Sequence, residues 1–336
     1  MTPPLPVICR PLLQPRPWGG RALATLLNKE LPPGVPVGES WELASLPGAE
    51  TCVRDGPLAG TPLGTLVEQW GAALLGSAPR CADRFPLLIK FLDARETLSV
   101  QVHPRPRVGA GAAAEFKDEA WYIVQAAPRA QLYLGLRSGV THAAVAAALR
   151  TGTPRWDELL QVWPADAGDC FYLPAGTPHA LGAGLVVAEV QTPCDVTYRL
   201  HDWGRVGLDG RPRTLHVAEA LANLRDDVPE AVLRPAPQPA EDSFGTATRA
   251  VTSQGFTIDR VTWGDAGARR IDVREMRVWI VLAGRGKLVS AGGTCGFQQG
   301  DVVLLPAALG ATDVTLRPAG SLLEVRVPTS VTSPTS

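Results

Sequence analysis

Residues 99–103 read Ser-Val-Gln-Val-His, and Pro104 follows. A short valine-rich run bounded by proline favours a strand over a helix. Alternate side chains of a strand share a face, so Ser99, Gln101 and His103 point the same way. That face offers a hydroxyl, an amide and an imidazole where a core would want apolar groups. Two further residues complete a donor set. Glu119 opens the apolar run Glu119-Ala-Trp-Tyr-Ile-Val124, and His179 closes Leu173-Pro-Ala-Gly-Thr-Pro-His179, a strand end and turn that would hold the ring at a barrel mouth. Gln101, His103, Glu119 and His179 suit one divalent ion, Zn²⁺ first, with Mn²⁺, Fe²⁺ or Co²⁺ as alternatives. An open position for water or substrate is expected on it.

These residues need elements to carry them. Gly168-Asp-Cys-Phe-Tyr-Leu-Pro-Ala175 matches Gly300-Asp-Val-Val-Leu-Leu-Pro-Ala307, and upstream Trp121-Tyr-Ile-Val124 matches Trp279-Ile-Val-Leu282. The two matches lie farther apart in the first copy, and Ser138 to Trp163 supplies the difference. Within it His142–Arg150 is rich in helix formers, and 157–160 reads as a second short helix. The pattern is a duplicated β-unit whose first copy carries a helical insert. Further helices are expected at 62–75, capped by Thr61 with Pro62 at the first position, and at 217–224. A proline-rich connector, 234–240, leads into the second unit. The expected division is a catalytic unit, 1–233, with its insert at about 138–163, a second unit, 234–328, and a disordered tail, 329–336. The last histidine is His216, so the second unit keeps the pattern without metal ligands.

Bulk properties exclude several function classes. Lys plus Arg (32) balance Asp plus Glu (33) for a net charge of −1, which gives no basic field for nucleic acid. No apolar run approaches a membrane span, and the N-terminus has no signal-peptide pattern. A cytoplasmic protein acting on a small molecule is expected; the oligomeric state is not legible. Six scattered cysteines form no Cys-x-x-Cys pair and read as reduced, buried thiols. The 34 Gly and 31 Pro are many for a helical protein and fit numerous short strands and turns. Gly38-Glu-Ser-Trp-Glu42 lacks the last glycine of a nucleophile elbow, and Gly284-Arg-Gly-Lys287 falls short of a phosphate loop. His142, His201 and His216 read as structural, Trp18, Trp41, Trp121 and Trp203 as packing, and Arg105, Arg107 and Arg129 as solvated surface.

The ordered segments Leu87-Leu-Ile-Lys-Phe-Leu92, Leu98-Ser-Val-Gln-Val-His-Pro104, Lys117-Asp-Glu-Ala-Trp-Tyr122, Pro174-Ala-Gly-Thr-Pro-His179, Glu189-Val-Gln191 and Asp195-Val-Thr-Tyr-Arg-Leu-His-Asp-Trp203 resemble the mannose-6-phosphate isomerases of the short bacterial type. Pro17-Trp-Gly-Gly20 and Gly38–Glu42 resemble that family's N-terminal motifs, and the likeness runs from about residue 10 to 205. Phe116 departs from it, standing where the family has glycine. The resemblance implies a mainly β fold of two cupin-like (jelly-roll) barrel units with helical insertions in the first half. It implies zinc dependence, the same four ligands, and interconversion of mannose 6-phosphate and fructose 6-phosphate through a cis-enediol. Sugar-phosphate contacts and catalytic groups fall on Ser99, Lys117, Glu189 and Arg199, with Lys90 nearby.

Aldose–ketose isomerisation needs a base and a means of stabilising charge on the sugar oxygens. Glu189 is the first candidate base, and Lys117 competes if burial depresses its pKa. Arg199 is expected to hold the phosphate, and Lys90, inside an apolar strand, must find a partner or a ligand. Lys117 and Arg199 favour a phosphorylated sugar over a related or unphosphorylated one. A non-catalytic sugar-binding protein would be expected to lack a ligand or Glu189.

Overall fold

The computed structural model describes residues 4–78, 84–106, 116–241 and 244–328. The tail assigned to 329–336, Cys81, Arg107 and most of the loop after Pro104 lie outside these residues. The fold is mainly β, as expected. Its first half holds a six-stranded antiparallel sheet in the order Cys170–Leu173, Glu119–Ala126, Leu185–Gln191, Leu88–Ala94, Val37–Leu43, Leu12–Gly20. The second half repeats that order with Val302–Leu305, Arg277–Ala283, Gly320–Arg326, Thr257–Trp263, Thr246–Thr252 and Gln238–Ala240. The smaller sheets correspond as well. Leu160–Pro164, Gln131–Leu136, His179–Ala180 and Val100–Val102 run in the order of Gly293–Gln298, Arg285–Ser290, Gly310–Leu316 and Gly267–Val273, and Tyr198–His201 is added only in the first half.

Each large sheet is apolar on both faces because each face meets something. Ala120, Tyr122, Ala188 and Val190 of one sheet and Val278, Ile280, Leu323 and Val325 of the other share one core between the halves. The opposite faces fill separate interiors, with Trp121, Ile123 and Val187 in the first half and Trp279, Val281 and Leu322 in the second. This is why Leu185–Gln191 reads Leu-Val-Val-Ala-Glu-Val-Gln, a nearly continuous apolar run buried throughout. Each of its Leu and Val side chains contributes about 1.5–3 kcal/mol by leaving water. The Gly-Asp repeat has a backbone reason. Gly168 and Gly300 sit at φ 99° and 89°, a region open to glycine. In each, the glycine N–H and the aspartate carbonyl bond one strand residue, Ile123 or Val281, all at 2.9 Å.

Local expectations mostly match. The insert forms helices His142–Arg150, with Thr141 as N-cap, and Trp156–Leu159, and Val217–Asn223 is helical. The helix expected at 62–75 needs correction. It starts at Leu63 without a side-chain cap from Thr61 and breaks at Gly71 (φ 48°) into Leu63–Trp70 and Ala72–Leu75. The carboxylate of Glu50, not Thr61, takes the Gly64 N–H at 2.6 Å. The proline-rich connector also differs, since Gln238–Ala240 pairs as an edge strand. Chain order is crossed at the start: Val7–Arg10 pairs with Val302–Leu305, placing Val7 opposite Leu304 in the second half's sheet. Among the described residues no helix is long and apolar enough to cross a membrane. Cys9, Cys52, Cys170 and Cys295 are free thiols.

Candidate metal and substrate site

Strand pairing brings the predicted donors together. Val100–Val102 lies between His179–Ala180 and Tyr198–His201, with Gln101 opposite His179 on one side and Arg199 on the other. On the large sheet, Glu189 stands opposite both Lys90 and Trp121. The ligand atoms of His103, Glu119 and His179 lie within 4.8 Å of one another, and all three residues are buried. Each histidine Nε2 is 3.3 Å from a Glu119 carboxylate oxygen. The amide of Gln101 is 3.1 Å from His179 Nε2, and turning that amide over would present its oxygen.

The ring orientations are fixed from behind. His103 Nδ1 donates to the Val196 carbonyl at 3.0 Å, and His179 Nδ1 to the Thr177 carbonyl at 2.8 Å. Both Nε2 lone pairs therefore face Glu119. His103 Nε2 and Glu119 Oε1 have no hydrogen-bond partner. Buried lone pairs converging without a donor are costly alone and are what a cation requires. Electrostatics keep them in ligand form. Burial pushes His179 down to about 3, and burial with the Lys117 charge also lowers His103. Burial works to raise the Glu119 carboxyl, but Lys117 and the imidazoles outweigh it and hold it well below the usual carboxylate range.

Above the donors opens a cavity of about 640 Å³ lined by the expected ligand Gln101 and by Ser99, Lys90, Lys117, Glu189 and Arg199, the five residues expected to meet a substrate. Glu189 Oε2 accepts a 2.9 Å bond from Trp121 Nε1. Burial and the Glu119 charge raise its pKa, against Lys117 and Lys90. Lys117 Nζ lies 2.8 Å from Glu119 Oε2. Although burial lowers its pKa, Glu119 and Glu189 outweigh that and hold the ammonium above its ordinary value. A lysine base asks for a depressed pKa, and in the ion-free site the Glu119 charge pushes Lys117 the other way. Arg199 donates to the Thr214 carbonyl at 2.8 Å and keeps its buried Nε unpaired.

Lys90 solves its burial with three carboxylates: Asp195 at 3.1 Å, Glu189 at 3.6 Å and Glu39 at 3.8 Å. It also sits 4.5 Å from the Trp41 ring centroid. Glu39 and Asp195 were not singled out by sequence reasoning. Glu39 bonds Arg16 and Trp41, both at 2.7 Å. Burial would raise its pKa, but Lys90 and Arg16 bring it down to about 2. Nothing in its strand marks Glu39 out, since Val37–Leu43 reads Val-Gly-Glu-Ser-Trp-Glu-Leu and carries a second glutamate and a serine. Trp18, Trp41 and Trp121 are buried as expected, but Trp203 is half-exposed, its Nε1 bonded to the Leu98 carbonyl. His142 bonds the Leu221 carbonyl, while Arg105 and Arg129 are exposed.

Comparison with known proteins points one way. Residues 8–126 match the family model for the phosphomannose isomerase type I catalytic domain. Mannose-6-phosphate isomerase ManA of Bacillus subtilis is 32% identical over 308 residues, 91% of this chain and 94% of the relative. Mannose-6-phosphate isomerase of Streptococcus mutans is 31% identical over 293 residues, 86% of this chain and 88% of the relative. The crystal structure of the Bacillus subtilis mannose 6-phosphate isomerase superposes with a TM-score of 0.83 at 28% identity, covering 96% of this chain and 99% of that one. A mannose 6-phosphate isomerase bound with zinc and yttrium shares the fold at a TM-score of 0.70 and 18% identity, covering 96% of this chain and 99% of that one. On this evidence the chain belongs to the mannose-6-phosphate isomerase family.

Proposed function

We propose that the chain interconverts mannose 6-phosphate and fructose 6-phosphate, using one divalent ion held by Gln101, His103, Glu119 and His179. The observation that carries this reading is the convergence of three buried donors, within 4.8 Å of one another, beneath a cavity that holds both a carboxylate and an unsaturated guanidinium. The donor set suits zinc first, and a relative's structure contains zinc. When bound, the ion supplies Lewis-acid stabilisation of negative charge on the sugar oxygens.

The chain's own residues do the rest. Glu189 takes the C2 proton of the aldose and returns it to C1, and its raised pKa suits a group that must both accept and release a proton. Lys117, held as an ammonium, offsets the charge that develops beside it. Arg199 presents its fork of donors to the phosphate, Ser99 binds a sugar hydroxyl, and Lys90 closes the wall with its charge matched. Residues 1–233 form the catalytic unit in this reading, and 234–328 form a histidine-free, cupin-like partner that covers it. Free thiols suit a cytoplasmic setting.

The test is formation of fructose 6-phosphate from mannose 6-phosphate by the purified protein, before and after chelation. The expected result is conversion that stops on chelation and returns when Zn²⁺ is restored. Undiminished conversion by metal-free protein would overturn the metal role, and conversion of mannose but not its phosphate would overturn the substrate.

A further inference from the structure

We infer that Gln191 is a positioning residue whose side-chain amide pins the turn at 192–196, the segment on which His103, Lys90 and the Lys117–Glu119 strap all depend. Gln191 is fully buried and stands opposite Glu119 on the neighbouring strand. Its Nε2 donates to the carbonyls of Thr192 at 3.1 Å and Cys194 at 2.5 Å. With both amide hydrogens on carbonyls the orientation of the amide is fixed, and Oε1 is left buried without a partner. A buried polar group left half-satisfied costs stability. Fixing the turn is the return on that cost.

The pinned turn serves the site by three routes. The Val196 carbonyl accepts from His103 Nδ1 at 3.0 Å and so selects the tautomer whose Nε2 faces Glu119. Asp195 reaches Lys90 at 3.1 Å. Thr192 bonds the strap carrying Lys117 and Glu119: its Oγ1 donates to the Phe116 carbonyl at 2.8 Å and accepts the Asp118 N–H at 3.2 Å, while its N–H meets the Asp118 carbonyl at 3.1 Å. His179 is anchored elsewhere, on Thr177. The two imidazoles therefore have independent supports, and only one passes through Gln191.

This inference rests on the metal reading in part, and the experiment separates the two. Gln191→Met keeps the length and removes both donors; Gln191→Glu also removes them while retaining a carboxylate oxygen. Imidazole ¹⁵N shifts of the full-length, metal-free protein report the tautomer of each histidine, and competition with a chromophoric chelator reports Zn²⁺ affinity. Both variants are expected to mix the tautomers of His103, leave His179 as in the parent, and weaken Zn²⁺ binding about 10- to 100-fold. A folded variant, either one, with an unchanged His103 signal overturns the inference. So does a variant that disturbs both histidines equally, which would mark Gln191 as general packing. If the parent protein itself binds no Zn²⁺, the metal reading fails while the His103 signal still decides the role of Gln191.

Discussion

The two halves use one strand order to opposite ends. In the first, Trp121 Nε1 donates to Glu189 at 2.9 Å; in the second, Trp279 Nε1 donates to Glu324 at 2.8 Å from the same register. What surrounds that shared acid differs. Where the first half has Lys90 and Glu119, strand pairing puts Asp259 and Arg277 in the second, and the sequence repeat aligns Ala311 with His179. Arg277 approaches Glu324 within 3.4 Å and Arg326 bonds it too, so this acid is fully buried and saturated. Glu189, by contrast, faces a cavity and shares Lys90 with two other carboxylates. The scaffold therefore delivers an acid to the same place twice, and the residues at the neighbouring strand ends decide whether it becomes reactive or structural.

The contrast can be broken most sharply at the donors. His179→Ala or Glu119→Gln removes a ligand, and with it several kcal/mol of charge stabilisation, so isomerase kcat/KM should fall by about 10³-fold or more. Next come the paired acids. Glu189→Gln should lower kcat by roughly 10²- to 10⁴-fold with Zn²⁺ still bound. Glu324→Gln should leave turnover per folded molecule unchanged but destabilise the protein by about 3–5 kcal/mol, since Arg277 and Arg326 lose their buried partner. Urea unfolding and a steady-state assay on the same samples separate these outcomes.

Acid should divide the halves too. His179, held neutral with its pKa at about 3 against an ordinary 6.5, binds a proton in the unfolded chain before the folded one. Metal-free stability should therefore fall as pH drops from 6.5 towards 3. Hydrogen exchange should place the early loss around His179, because no histidine follows His216. The smallest effect belongs to the helical insert, which only the first half carries. Thr141→Ala deletes the cap on the Ala144 N–H and should cost about 1 kcal/mol in thermal unfolding, with activity intact.

The donors were legible because a period of two is a strong constraint. Once Ser99, Gln101 and His103 share a strand face, they can only line one wall, and Glu119 and His179 announce themselves at strand ends. The Gly-Asp repeat was legible because each copy needs a glycine with positive φ. The crossing of Val7–Arg10 into the far sheet was not, because four residues of Val-Ile-Cys-Arg encode an apolar strand but no choice of partner. Nor was the cap on the helix at Leu63: the acceptor, Glu50, is brought there by tertiary folding. Glu39 and Asp195 escaped because an acid becomes meaningful only beside the lysine it neutralises, and that pairing joins strands distant in sequence.

The most direct measurement is anomalous X-ray scattering at the zinc edge from crystals grown with Zn²⁺. One peak within bonding distance of His103 Nε2, His179 Nε2 and a Glu119 oxygen, lost in His179→Ala crystals, is the expected result. A fully loaded protein with its ion elsewhere, and those three side chains still facing one another without it, would contradict the account.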